Sequence, residues 1–196
     1  KEQIIEPLVK EDIKFISMGL ISDEKMPVIW RGPMVSGAVM QLLSQTDWGN
    51  LDYLIVDTPP GTGDVQLTLL QRIPLTSSVI VTTPQEVSIS DCKKGIEMIN
   101  KLGLPISGLI ENMSWFQPDK EGRKYYLFGK DGGKKLADEY SLDLLGQLPL
   151  IELEEDKNLM ENELLKIEFS SIADKLEKSV KNLKEKKSDG IPQINI

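Results

Sequence analysis

Five short apolar runs, alternating with stretches of helical spacing, constrain this chain more than any other feature. They are residues 15–21, 54–56, 79–81, 106–110 and 144–148. Each is apolar at consecutive rather than alternate positions, which suits strands buried on both faces, as in a parallel sheet. Residues 34–46 bring Val35, Val39, Leu42 and Leu43 close to one helical face. Residues 88–102 space Ile89, Cys92, Ile96 and Ile99 by three and four, with Ser88 or Ser90 as a cap and Gly103 and Pro105 as a stop. A shorter helix is expected over 133–140. This order predicts an α/β fold whose mostly parallel sheet is flanked by helices on both faces. The Glu- and Lys-rich stretch 152–187 carries Ile172, Leu176, Val180 and Leu183 as a narrow stripe, so it reads as a helix packed outside the sheet. A single domain is expected over 1–187, with a tail over 188–196.

Composition removes several chemistries. The 196 residues hold no His and one Cys. That leaves no imidazole base, no Ser-His-Asp or Cys-His machinery, and no thiolate cage within one chain. The net charge of -8 argues against neutralising a nucleic-acid backbone, so no nucleic-acid partner is expected. No run approaches the ~20 apolar residues of a membrane span, and no signal peptide opens the chain, so a cytoplasmic protein is expected with no membrane partner.

The most informative stretch is Leu54-Ile55-Val56-Asp57-Thr58-Pro59-Pro60-Gly61-Thr62-Gly63-Asp64. An apolar run delivers the Asp57 carboxylate to its C-terminal end, where open α/β sheets bind ligands. A carboxylate there can hold Mg²⁺ or its water, while the Pro59, Gly61 and Gly63 loop brings backbone N–H groups toward a terminal phosphate. Asp64 is placed to cap the next helix. A tight turn with Asp57 as its cap is the plainer alternative. Asn112 follows the fourth run, and its amide can both donate to and accept from an adenine edge, or simply form a turn. Residues 115–116 and 125–126 suggest a small hairpin that either covers the sheet end or offers aromatics to a partner.

Several segments carry a family resemblance over roughly residues 13–150. They are Trp30-Arg31-Gly32-Pro33-Met34, Asp47-Trp48-Gly49, the Asp57 loop through Gln66-Leu67-Thr68, Val81-Thr82-Thr83-Pro84-Gln85, Glu111-Asn112-Met113-Ser114, and Phe128-Gly129 before Gly132-Gly133. In this order the chain resembles the Mrp-type, ApbC-like P-loop ATPases, an iron–sulfur cluster carrier family related to MinD and ParA. The resemblance implies a P-loop NTPase fold, binding and hydrolysis of Mg-ATP, and a homodimer delivering clusters to apo-protein clients. It places Asp57 in the Mg²⁺ shell, Asn112 on the base and Pro149 in the adenine pocket.

Two features depart from that pattern. The 196 residues contain no G-x-x-x-x-G-K-[ST] segment, and the Gly129–Lys134 cluster reads as a turn opening a helix. The chain is therefore expected to be the C-terminal portion of a longer ATPase, without its first strand and helix and inactive alone. The family's Cys-x-x-Cys, expected after Ser114, is also absent, so cluster binding by the usual thiolates is not expected. A nucleotide-gated scaffold of MinD or ParA type, handling no metal, is the competing expectation.

Overall fold

Three of the five apolar runs become one parallel sheet. The computed structural model describes residues 4–20, 32–58, 61, 63–118, 122–152 and 161–189. They belong to two compact units, Lys1–Ile73 and Pro74–Ile196.

In the second unit β3 (Ser78–Thr82), β4 (Ile106–Glu111) and β5 (Leu144–Gln147) pair in parallel in the order β3-β4-β5. Helix α3 (Glu86–Lys101) links the first two strands, and α4 (Gly132–Tyr140) precedes the third. Alternation along β4 sends Ile110 to one face and Leu109 and Glu111 to the other. On the first face α5 (Glu163–Asp189) lays Leu165 and Ile172 against Leu145 and Leu148, with Val79, Ile110 and Leu176 packed around them. Gly146 is required there, because Ile172 occupies the space a Cβ would fill. Lys175 Nζ donates to Leu145 O at 2.8 Å and Ser179 Oγ to Ser107 O at 2.9 Å, tying the polar flank of α5 to the sheet. On the second face α4 meets β4 and α3, with Ile96, Ile99, Leu136 and Ala137 buried. Helices therefore lie on both faces of the sheet, although Val81 on β3 remains 58% exposed.

In the first unit β1 (Leu8–Lys10) and β2 (Ile13–Phe15) form an antiparallel hairpin, and a 3-10 turn follows at Met18–Leu20. Helices α1 (Gly32–Gln45) and α2 (Asp64–Arg72) pack together, burying Leu42 and Leu69. Trp48 Nε1 donates to Leu43 O at 3.0 Å and closes the end of α1.

Four local expectations are corrected. Within the run 15–21, whose Ile21 lies outside the described residues, β2 ends at Phe15 and a 3-10 turn follows, so the run is not one strand. The run 54–56 is not a strand: Ile55 is 87% exposed, and nothing among the described residues pairs with it. Apolar sequence makes a strand only where a neighbour supplies the ladder hydrogen bonds. Helix α3 begins at Glu86 with Gln85 as its cap, so neither Ser88 nor Ser90 caps it. Helix α2 has Gly63, not Asp64, at its N-cap. The 133–140 helix is found, beginning one residue earlier, and the Gly132-Gly133 cluster does open it.

Candidate functional site

The strand register gathers the polar residues of the second unit at one edge. Thr82 of β3 stands beside Glu111 of β4, and Glu111 beside Gln147 of β5. One step further along each strand lie Thr83, Asn112 and Leu148, followed by the buried Pro149. Asn112 N donates to Thr82 O at 2.7 Å, Leu148 N to Glu111 O at 2.8 Å, and Ser114 N to Leu148 O at 2.9 Å. These bonds carry the pairing past the last strand residues and bring Asn112 and Pro149 to the same carboxyl-end edge. Crevices outside such edges are where open α/β sheets take ligands.

Asn112 is half-buried, and its Oδ1 accepts from Met113 N at 2.9 Å. Its NH₂ has no partner among the described residues. Thr83 Oγ1 is buried without a partner among them, whereas Thr82 Oγ1 and Thr83 N both engage Ser88 Oγ. A buried hydroxyl without a partner, beside the open amide of Asn112, fits the polar rim of a bound base.

The sequence reading missed the most enclosed group here. Glu111 is fully buried, and its carboxylate accepts from Ser114 Oγ at 2.7 Å, Gln147 Nε2 at 2.7 Å and the backbone N–H of Gly133. Three donors around two oxygens is the surrounding that an acceptor-only carboxylate requires. A glutamate ending an apolar strand was the available signal.

In the first unit Asp57 is exposed at the end of an irregular segment, and Gly61 follows in a left-handed conformation with φ +96°. Gly63 leads into the first turn of α2, and the N-terminal end of a helix favours an anion. Pro59 lies outside the described residues, as does Arg31. No group of three or more His, Cys, Asp or Glu side chains gathers among the described residues. A Mg²⁺ commonly binds through one or two carboxylates with water and phosphate oxygens, so Asp57 fits that ion without a larger acidic cluster.

The hairpin forms where expected: Phe116 and Tyr125 exchange two backbone bonds of 2.8 Å. Trp115 is buried beneath Lys124, whose Nζ sits 3.6 Å from the ring centroid, while Tyr125, Tyr126 and Leu127 are exposed. Cys92, on α3, directs its Sγ toward Val81 O at 3.5 Å. A lone half-buried thiol does not fit a thiolate-held cluster. On the α3–α4 surface the Lys93 pKa is raised, chiefly by its bond to Glu139, and that of Tyr140 is raised chiefly by desolvation. No helix among the described residues is long and apolar enough to cross a membrane.

A parallel sheet with helices on both faces, and with polar groups gathered at the strand carboxyl ends, defines a protein of the α/β class. Comparison with known proteins makes the assignment narrower. Residues 1–184 match the family described as ParA, NUBPL iron-transfer P-loop NTPase, and the chain belongs to that family. It is 51% identical over 149 residues to an iron-sulfur cluster carrier protein of Synechocystis sp., covering 76% of this chain and 42% of that protein. It is 50% identical over 147 residues to the iron-sulfur cluster transfer protein NUBPL of Mus musculus, covering 75% and 46%. The corresponding carrier of Methanocaldococcus jannaschii is 53% identical over 147 residues, covering 74% and 51%. The chain thus spans about half the length of the curated relatives it matches. A nucleotide-binding protein of Archaeoglobus fulgidus, solved with ADP, superimposes with a TM-score of 0.63 at 30% identity, covering 90% of this chain and 64% of that one.

Proposed function

We propose that this chain is part of an ATP-dependent iron–sulfur cluster carrier, working as a homodimer that delivers clusters to apo-proteins. The observation that carries the reading is the family match across residues 1–184, joined to a strand-end edge where the buried Thr83 hydroxyl has no partner among the described residues. Asn112 and Pro149 would line the base, Asn112 through its NH₂. Asp57 would hold the Mg²⁺ shell, and the Pro59, Gly61 and Gly63 loop with the first turn of α2 would face the terminal phosphate. Mg-ATP, when bound, supplies the phosphoanhydride whose hydrolysis resets the carrier. The protein's own part is positioning and charge stabilisation, which needs no His nucleophile or base.

A second reading, a nucleotide-gated scaffold without a cluster, is favoured by the segment after Ser114. Where the family's Cys pair is expected, this chain has an aromatic hairpin held under Lys124. One experiment separates the two. In a full-length protein carrying this chain behind a P-loop, iron and sulfide are counted per dimer after reconstitution, and transfer to an apo-ferredoxin is followed. Bound cluster that transfers supports the carrier; an iron-free dimer that still hydrolyses ATP leaves the scaffold.

A further inference from the structure

Met113, beside Asn112, holds a left-handed backbone with φ +56°. A long side chain in that region is strained by about 1 kcal/mol or more and persists only where its surroundings over-determine it. The over-determination comes from Glu111. Ser114 Oγ, just past the strained residue, donates to both Glu111 Oε1 at 2.7 Å and Glu111 O at 3.0 Å. Gln147 reaches the same carboxylate from β5, and Gly133 from the first turn of α4. Gly133 could not carry a side chain there, since a Cβ would stand 2.9 Å from both Glu111 Cβ and Oε2. The turn 112–114 is therefore fastened at both ends. On one side Asn112 N is held by Thr82 O; on the other Ser114 is held by Glu111 and by Leu148 O. Within that turn Oδ1 of Asn112 is committed to Met113 N, which leaves its NH₂ as the group open to a base.

We propose that Glu111 is the positioning residue of the base site: its buried carboxylate fastens β4, β5 and α4 around the strained 112–114 turn and so fixes the amide of Asn112 that reads the base. The inference rests on the nucleotide reading above and adds a specificity-determining residue to it. Glu111 touches no ligand; it acts through Asn112. Its effect falls on which base is preferred, because phosphate and metal contacts lie on other segments.

The test is the ratio of ADP to GDP dissociation constants, measured by calorimetry in the full-length protein, for the parent, Asn112→Ala and Glu111→Gln. Gln preserves size, and the amide of Gln147 can turn to receive it, so the fold is expected to survive. The adenine preference is expected to fall roughly tenfold in Glu111→Gln, approaching its value in Asn112→Ala. If Glu111→Gln fails to fold, Ser114→Ala and Gln147→Leu each remove one donor and are expected to lower the preference about threefold. Preference lost in Asn112→Ala but kept in Glu111→Gln, or in both donor variants, overturns the positioning role alone. A parent that binds ADP and GDP equally, or neither, overturns the base-site reading and this inference with it. A lowered melting temperature with an unchanged ratio marks Glu111 as structural only and also overturns it.

Discussion

Replacing Gly133 by Ala and Gly95 by Ala makes the same chemical change in two helices, and the structure gives them opposite signs. At Gly133 the new methyl would lie 2.9 Å from Glu111 Cβ and Oε2 and 3.1 Å from Cγ. These atoms belong to a buried side chain held by three donors, so the helix must move instead. Overpacking of this kind costs about 1–3 kcal/mol. The same shift stretches the bond from Gly133 N to the carboxylate, and bonds to charged groups contribute about 1.5–3 kcal/mol, part of which is lost. Better helix propensity returns less than about 1 kcal/mol, since the site is in the first turn. The net is a destabilisation of about 2–3 kcal/mol. At Gly95, inside α3, nothing lies within 4 Å of the new methyl. There the gain in propensity and the smaller unfolded-state entropy stabilise by about 0.5–1 kcal/mol. Urea unfolding of both variants, followed by far-UV circular dichroism, measures the difference directly. The melting temperatures should separate by roughly 6–12 °C. A Gly133→Ala protein as stable as the parent would refute the close packing of α4 on Glu111. Equal shifts in both variants would mean that propensity alone governs the two sites.

Asp57→Asn, in a full-length protein carrying the P-loop, should reduce ATP turnover by roughly 10²-fold or more while nucleotide affinity falls less, because the charge that orders Mg²⁺ is removed. Hydrolysis at the parent rate would leave Asp57 a turn residue. Asn112→Ala should raise the dissociation constant for ADP by roughly tenfold with little change in the chemical step, as single-turnover kinetics would show. The 196-residue chain, which contains no G-x-x-x-x-G-K-[ST], should bind ATP no tighter than roughly 10⁻⁴ M; calorimetric binding in the micromolar range would contradict this.

Legibility from sequence followed the range of the interactions involved. Helices α1, α3 and α4 and strands β3, β4 and β5 were readable because their apolar spacing is a local property. Each of these strands also found a neighbour to complete its ladder. The run 54–56 has the same local character as 79–81, yet it remains irregular and exposed because pairing depends on another segment. Capping failed for a related reason: Ser88, a suitable cap by type, instead ties the helix to the strand end, its hydroxyl accepting from Thr83 N and bonding the Thr82 hydroxyl.

The sequence by itself determined the class of fold, the family resemblance carried by the Asp57 loop and the 111–114 motif, and the lack of thiolates for a conventional cluster site. Residue type and order suffice for these, since periodicity, motif spacing and ligand inventory are written along the chain. Only the tertiary structure decided what Glu111 does. Its donors lie 3, 22 and 36 residues away, on a turn, a helix and a neighbouring strand. Strand register and the glycine-permitted approach of α4 bring them together. A carboxylate at the end of an apolar strand can be a ligand, a cap or a clamp, and the choice depends on which donors the fold leaves beside it once water is excluded.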